Sequence, residues 1–107
     1  MASYKIKGIV SAERACECCG NNNLERNVVL ADEAGRLMYV GSDCAGKLVH
    51  GVKKAGNTKL VVKEAEFVSK CKKLLESHAA SEVKEYISRM TCNGQVYLDR
   101  LAAVGLA

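Results

Sequence analysis

Proline is absent from this 107-residue chain, and so is tryptophan. Without proline there is no Pro-Cys-x-x-Cys segment, and neither histidine opens a His-x-Glu segment, so both halves of a zinc deaminase site are missing. Aromatic side chains are few: Tyr4, Tyr39, Phe67, Tyr86 and Tyr97. The core must therefore come from Val, Leu, Ile, Ala and Met. No window approaches the roughly 18–20 apolar residues of a transmembrane helix. Residues 1–7 carry no long apolar run and no cleavage signal, which points to a cytoplasmic protein rather than a secreted one. There is no Gly-rich phosphate loop and no Ser/His/Asp set, so no enzymatic activity is expected. Arginine is sparse as well, at Arg14, Arg26, Arg36, Arg89 and Arg100. Base edges are read best by Arg, Asn and Gln, so sequence-specific recognition of nucleic acid is not expected. Repeats, linkers and low-complexity segments are also lacking. One domain over 1–107 is expected, with a zinc-binding module in 1–56 and a helical extension in 57–107.

What the chain does have is cysteine, six in all. In a secreted protein six cysteines suggest disulfides, whereas in a reducing compartment closely spaced ones more often hold metal. The net charge of +4 permits contact with nucleic acid without demanding it.

The two parts of the chain differ in texture. Residues 4–10 alternate and read as a strand, 26–31 as a second, and 36–40 as a third. Asp32-Glu33-Ala34-Gly35 between the last two is a hairpin turn, with Gly35 supplying a positive φ. Ser42 and Asp43 are candidate caps for a helix whose apolar stripe is Ala45, Leu48, Val49 and Val52. A loop at Asn57-Thr58 leads to a predicted helix over 59–78. Leu60, Phe67, Val68, Cys71, Leu74, Leu75 and His78 share one face of it, and Lys59, Lys63, Lys70 and Lys73 another. Ser81 can cap a third helix with Val83, Tyr86, Ile87 and Met90 on one side. Asn93-Gly94 breaks it, and a last helix over 96–104 stops at Gly105.

Cys16-x-x-Cys19-Gly20 has the form of half a zinc site, because two intervening residues let one tight turn aim both sulfurs at one ion. The other half should follow a hairpin. Twenty-four residues separate Cys19 from Cys44, and they hold a strand-turn-strand pattern. Cys44 then sits at a helix start, where the amide dipoles favour thiolate. Knuckle, hairpin and ligand-bearing helix make an α+β protein: a treble-clef-like, zinc-bound β-hairpin module followed by about three C-terminal helices. The predicted cofactor is a structural Zn2+.

The fourth ligand is open. Such a helix usually offers one three or four residues on, where Lys47 and Leu48 stand instead. His50 ranks first, Cys71 and Cys92 next, with Cys18, His78 and Asp43 as further candidates. Cys71, centred on an apolar helix face, also reads simply as a core residue. Thioredoxin-like chemistry is not favoured, because the CxxC segment precedes a turn rather than opening a helix.

Cys16 to Gly20, Leu24, Val28-Val29-Leu30 and Val40-Gly41-Ser42-Asp43-Cys44-Ala45 together resemble a zinc-finger module of small phage, prophage and plasmid proteins. The resemblance covers about residues 4–50, and the extra Cys18 departs from the simple pattern. It implies a zinc-binding mobile-element protein and says little about a target. Two partners are expected in turn. One is nucleic acid, DNA or RNA, met by Lys47, Lys53, Lys54, Lys63 and Lys70 through phosphate contacts. The alternative is a host or defence-system protein on which the chain docks as an adaptor or inhibitor.

Overall fold

Every residue of Arg26–Ala31 except Arg26 is buried, and this segment, apolar from Val28 on, forms the middle strand of a sheet. The computed structural model describes residues 4–11, 15–22, 24–51 and 55–106. In it, β1 (Lys5–Ser11), β2 (Arg26–Ala31) and β3 (Leu37–Val40) make a three-stranded antiparallel sheet in the order β1-β2-β3. The protein is α+β, with four helices after the sheet: α1 (Ser42–His50), α2 (Ala55–Leu74), α3 (Ala80–Arg89) and α4 (Gly94–Ala103). Among the described residues no helix is long and apolar enough to cross a membrane.

The hairpin between β2 and β3 forms as its residues dictate. The Asp32 carboxylate accepts from the amides of Ala34 and Arg36, both at 2.9 Å, and Gly35 takes φ +82°. β1 carries an irregularity between Ile6 and Gly8, where Gly8 adopts φ +148°.

Two buried clusters share the chain. The first joins Val28, Leu30 and Val40 of the sheet to Ala45 of α1, Val61 and Ala65 of α2, and Cys16. The second joins Val68 and Cys71 of α2 to Val83 and Ile87 of α3 and Leu101, Ala103 and Val104 near the C-terminus. α2 belongs to both. Tyr97 also packs against the second cluster, beside Leu101 and Val104.

Several expectations are corrected by tertiary packing. α2 begins at Ala55 and ends at Leu74 rather than spanning 59–78, and Asn57 and Thr58 are helical. Gly46 explains this. A Cβ there would lie 3.1 Å from the Thr58 amide nitrogen, so the bare backbone of α1 lets the first turns of α2 pack against it. The buried face of α2 is Val61, Ala65, Val68 and Cys71, while Leu60 is 57% exposed and His78 lies beyond the helix. Small side chains set that choice, since Ala65 and Val61 allow a closer approach to the sheet than Leu60 would. Ser42 and Asp43 do not cap α1; the cap is Gly41, and the Asp43 carboxylate accepts from the Thr58 hydroxyl at 3.0 Å. Ser81 does not cap α3, whose N-cap is Ala79, and Met90 is 56% exposed at its end. Asn93 is the genuine side-chain cap, taking the amides of Gln95 and Val96 at the start of α4. Val52 lies outside the described residues.

Candidate metal centre

A tight turn over 17–19 follows β1, closed by the Gly20 amide on the Cys16 carbonyl at 2.8 Å. Gly20 sits at φ +78°, a conformation open to glycine. The Cys16 amide donates to the Asn21 carbonyl at 2.9 Å, which fixes the base of the turn. The turn is pinned to β3 on both sides of one residue. The Glu17 amide donates to the Tyr39 carbonyl at 3.0 Å, and the Tyr39 amide donates to the Glu17 carboxylate at 2.5 Å. Glu17 thus takes the place of a strand neighbour along the open edge of β3, and the cysteines around it are carried to the β3–α1 junction.

That junction is Gly41. Its position is buried, and a Cβ there would come within 3.0 Å of a Leu24 methyl. One residue later the chain enters α1, placing Cys44 in the first helical turn, where the exposed amide dipoles favour a negative sulfur. The sulfurs of Cys16, Cys19 and Cys44 all lie within 4.8 Å of one another, close enough to hold a metal ion. Cys16 faces the interior at 2% exposure, Cys44 is half-buried, and Cys19 is on the surface.

The environment of Cys16 suits a thiolate. Burial opposes the charge, but the amides of Gly41, Cys19 and Cys18 and the thiol of Cys19 hydrogen-bond to the sulfur and bring the group down to about 7. Cys44 moves the other way. Burial, then the thiols of Cys19 and Cys16, the charge on Cys16 and the thiol of Cys18 hold its proton on far above the ordinary thiol range. Three sulfurs this close cannot all carry unbalanced charge. A divalent cation among them removes the conflict, so the donor set fits a metal that prefers sulfur.

The other sequence-derived ligand candidates are placed elsewhere. His50 is exposed in the last turn of α1 and is not grouped with the three sulfurs. Cys71 is fully buried in the second cluster, and Cys92 is exposed ahead of α4. His78 is exposed, its Nδ1 lying 3.0 Å from the Ser77 hydroxyl and 3.3 Å from the Leu74 carbonyl. Of the lysines singled out, Lys47, Lys63 and Lys70 are exposed, and Lys53 and Lys54 lie outside the described residues. The pinning role of Glu17 and the sulfur-directed amide of Gly41 are not visible in the sequence. The glycine before the Ser-Asp-Cys segment is the only hint of the second. Comparison with protein-family models, with known proteins and with solved structures returns no significant match.

Proposed function

We propose that the chain is a non-enzymatic zinc-finger protein with a treble-clef-like head, and that it binds the phosphate backbone of nucleic acid through α2. Zinc is the choice among metals because thiolate ligands at a structural site select it, and it needs no redox partner. The site's task in this reading is to hold the head in shape.

The solvent-facing stripe of α2 carries the binding reading. Lys59, Lys63, Lys70 and Lys73 are all exposed. At about 100° per residue they fall within one narrow arc opposite Val61, Ala65 and Val68. Glu66 lies in the same arc, and Arg26 of β2 pairs with it at 3.6 Å, so the acid is offset by a neighbouring cation. The stripe extends for about 21 Å, enough to follow several phosphates of one strand. Its lysines suit backbone contacts rather than base reading, which predicts binding without sequence preference. The resemblance of residues 4–50 to mobile-element zinc-finger modules supports the zinc and not one target over another.

Fluorescence anisotropy with mixed-sequence DNA and RNA, across a salt series, tests it. Four phosphate contacts predict a slope of log affinity against log salt of about −3 to −4 on duplex DNA. Lys63→Glu and Lys70→Glu should each weaken binding and flatten that slope. No binding at low salt would end the proposal.

A protein-docking role has one observation in its favour: Leu60, Met90, Val96 and Leu98 are large, apolar and exposed. Capture of a host protein that persists after nuclease treatment, and that is lost on Leu60→Glu or Leu98→Glu, would select it.

A further inference from the structure

Zinc in a structural site takes four ligands, and the three mutually close sulfurs leave one position to fill. The structure narrows the choice. Along α1, His50 lies six residues beyond Cys44, about 9 Å further along the axis and about 120° round it. One ion cannot be reached from both. Asp43 is turned to the Thr58 hydroxyl, and the Glu17 carboxylate holds the Tyr39 amide. Cys71 is enclosed in the second cluster, and His78 is engaged at the end of α2. Cys92 is on the surface in the segment between α3 and α4.

Cys18 is different. It lies in the same turn as Cys16 and Cys19, its amide hydrogen-bonds to the Cys16 sulfur, and its own thiol is within hydrogen-bonding reach of Cys44. It is exposed, as Cys19 is, while Cys16 faces inward. Successive side chains diverge in an extended strand, but residues 17–19 form a turn closed by Gly20, where neighbouring side chains can converge.

We propose that Cys18 supplies the fourth thiolate, so that Cys16, Cys18, Cys19 and Cys44 form an all-sulfur site with three ligands from one turn and one from α1. This rests on the reading that the cluster binds zinc. Of the three sulfurs, it is that of Cys44 that the Cys18 thiol reaches. The Cys18 sulfur is not among the three that all lie within 4.8 Å of one another, so completing the set requires it to turn toward them on metal binding, as rotation about its Cα–Cβ bond permits. Metal binding then releases the thiol protons and joins the turn to the helix at its exposed rim.

Titration of the full chain with Co2+ as a spectroscopic probe tests the proposal, with Zn2+ competition giving affinities. The unsubstituted protein should show the strong sulfur-to-metal charge-transfer band of tetrahedral four-thiolate coordination. Cys18→Ser should lower that band by about a quarter, one sulfur in four, and weaken zinc by at least roughly tenfold. His50→Ala should change neither. X-ray absorption at the zinc edge of the unsubstituted protein gives the sulfur count without any substitution, and four sulfurs are expected. Three sulfurs with one nitrogen or oxygen, or an unchanged Cys18→Ser spectrum, would overturn the role of Cys18 while leaving the zinc reading intact. Failure of the unsubstituted protein to bind either ion would overturn both.

Discussion

The hydroxyl of Ser69 accepts the Ile9 amide proton at 2.8 Å and donates to the Ile9 carbonyl at 3.2 Å, so one side chain of α2 satisfies both polar groups of one edge-strand residue. The Lys72 ammonium caps the Lys7 carbonyl beside it. On the opposite edge of the sheet Glu17 meets both polar groups of Tyr39, its amide donating to the carbonyl and its carboxylate accepting from the amide. A short sheet with unpaired edges invites pairing with another chain, and these contacts occupy both edges.

Gly8 is what allows α2 so near. Its φ of +148° is rare for an L side chain, and a Cβ would lie 2.8 Å from the Ser69 oxygen. Ser69→Ala should cost about 1–3 kcal/mol, because it strands two backbone groups of Ile9. Gly8→Val should cost more, about 2–4 kcal/mol, from strain and clash together. Gly8→Ala combined with Ser69→Ala should cost less than the sum of the singles, since the clash needs the hydroxyl. Urea unfolding of the unsubstituted protein, Gly8→Ala, Ser69→Ala and the double variant measures this, and strict additivity would show that the clash is relieved some other way.

Arg100 and Glu64 form the second fixed point. The guanidinium donates to both carboxylate oxygens, at 2.9 and 2.8 Å, to the Met90 carbonyl at 3.1 Å and to the Thr91 hydroxyl at 2.6 Å. It also lies 4.3 Å from the centre of the Phe67 ring. The pair joins α2 to α4 and to the α3–α4 turn. Glu64→Ala leaves the mostly buried guanidinium without its partner and should cost about 2–3 kcal/mol. Replacing both, as Glu64→Leu with Arg100→Met, should cost less than Glu64→Ala alone. Thermal and urea unfolding compare the two, and a double replacement worse than either single change would assign the pair a larger role.

Where the residues themselves decide, the fold was legible. β2 was legible from the apolar residues 28–31, the hairpin from Asp32 and Gly35, and the stop of α4 from Gly105, which takes φ +81°. The start of α2 was hidden because Gly56-Asn57-Thr58 has loop chemistry, and it is packing on Gly46 and the bond from Thr58 to Asp43, both distant in sequence, that help hold it helical. Leu60 misled because helical periodicity shows that a stripe exists but not which neighbour meets it. The three mutually close cysteines were legible from spacing, since a two-residue gap and a helix start carry the geometry locally. The remaining position of the site was not, because it turns on how a helix and a turn meet in space.

Cys71 and Cys92 should separate by reactivity. Cys71 is fully enclosed, and burial pushes its thiol up, so little thiolate forms at neutral pH. In the folded protein iodoacetamide should modify Cys92 and leave Cys71 untouched until denaturant is added, as peptide mass spectrometry will show. Cys71→Ser puts a hydroxyl in an apolar cluster and should cost about 1–3 kcal/mol, while Cys92→Ser should stay within about 0.5 kcal/mol. Rapid labelling of Cys71 under native conditions would mean that the second cluster opens readily.

Metal removal should divide the molecule. Cys16 is a buried member of the first cluster and Cys44 packs against it, so the proposed zinc holds the sheet and α1 directly. The second cluster draws on α2, α3 and α4 and contains no proposed ligand, since its buried Cys71 stays a thiol in this reading. Structural zinc contributes on the order of 10 kcal/mol to small modules, comparable with the whole stability of a domain this size. Chelation, Cys16→Ser or Cys44→Ser should therefore unfold the head. Hydrogen exchange should show protection lost first across β1, β2, β3 and α1, with amides of Val68, Val83, Ile87 and Leu101 persisting longest. Cys44→Ser protein that keeps full zinc and full protection in β2 would refute the metal site. Simultaneous loss of protection in both clusters would show instead that α2 couples them into one cooperative unit.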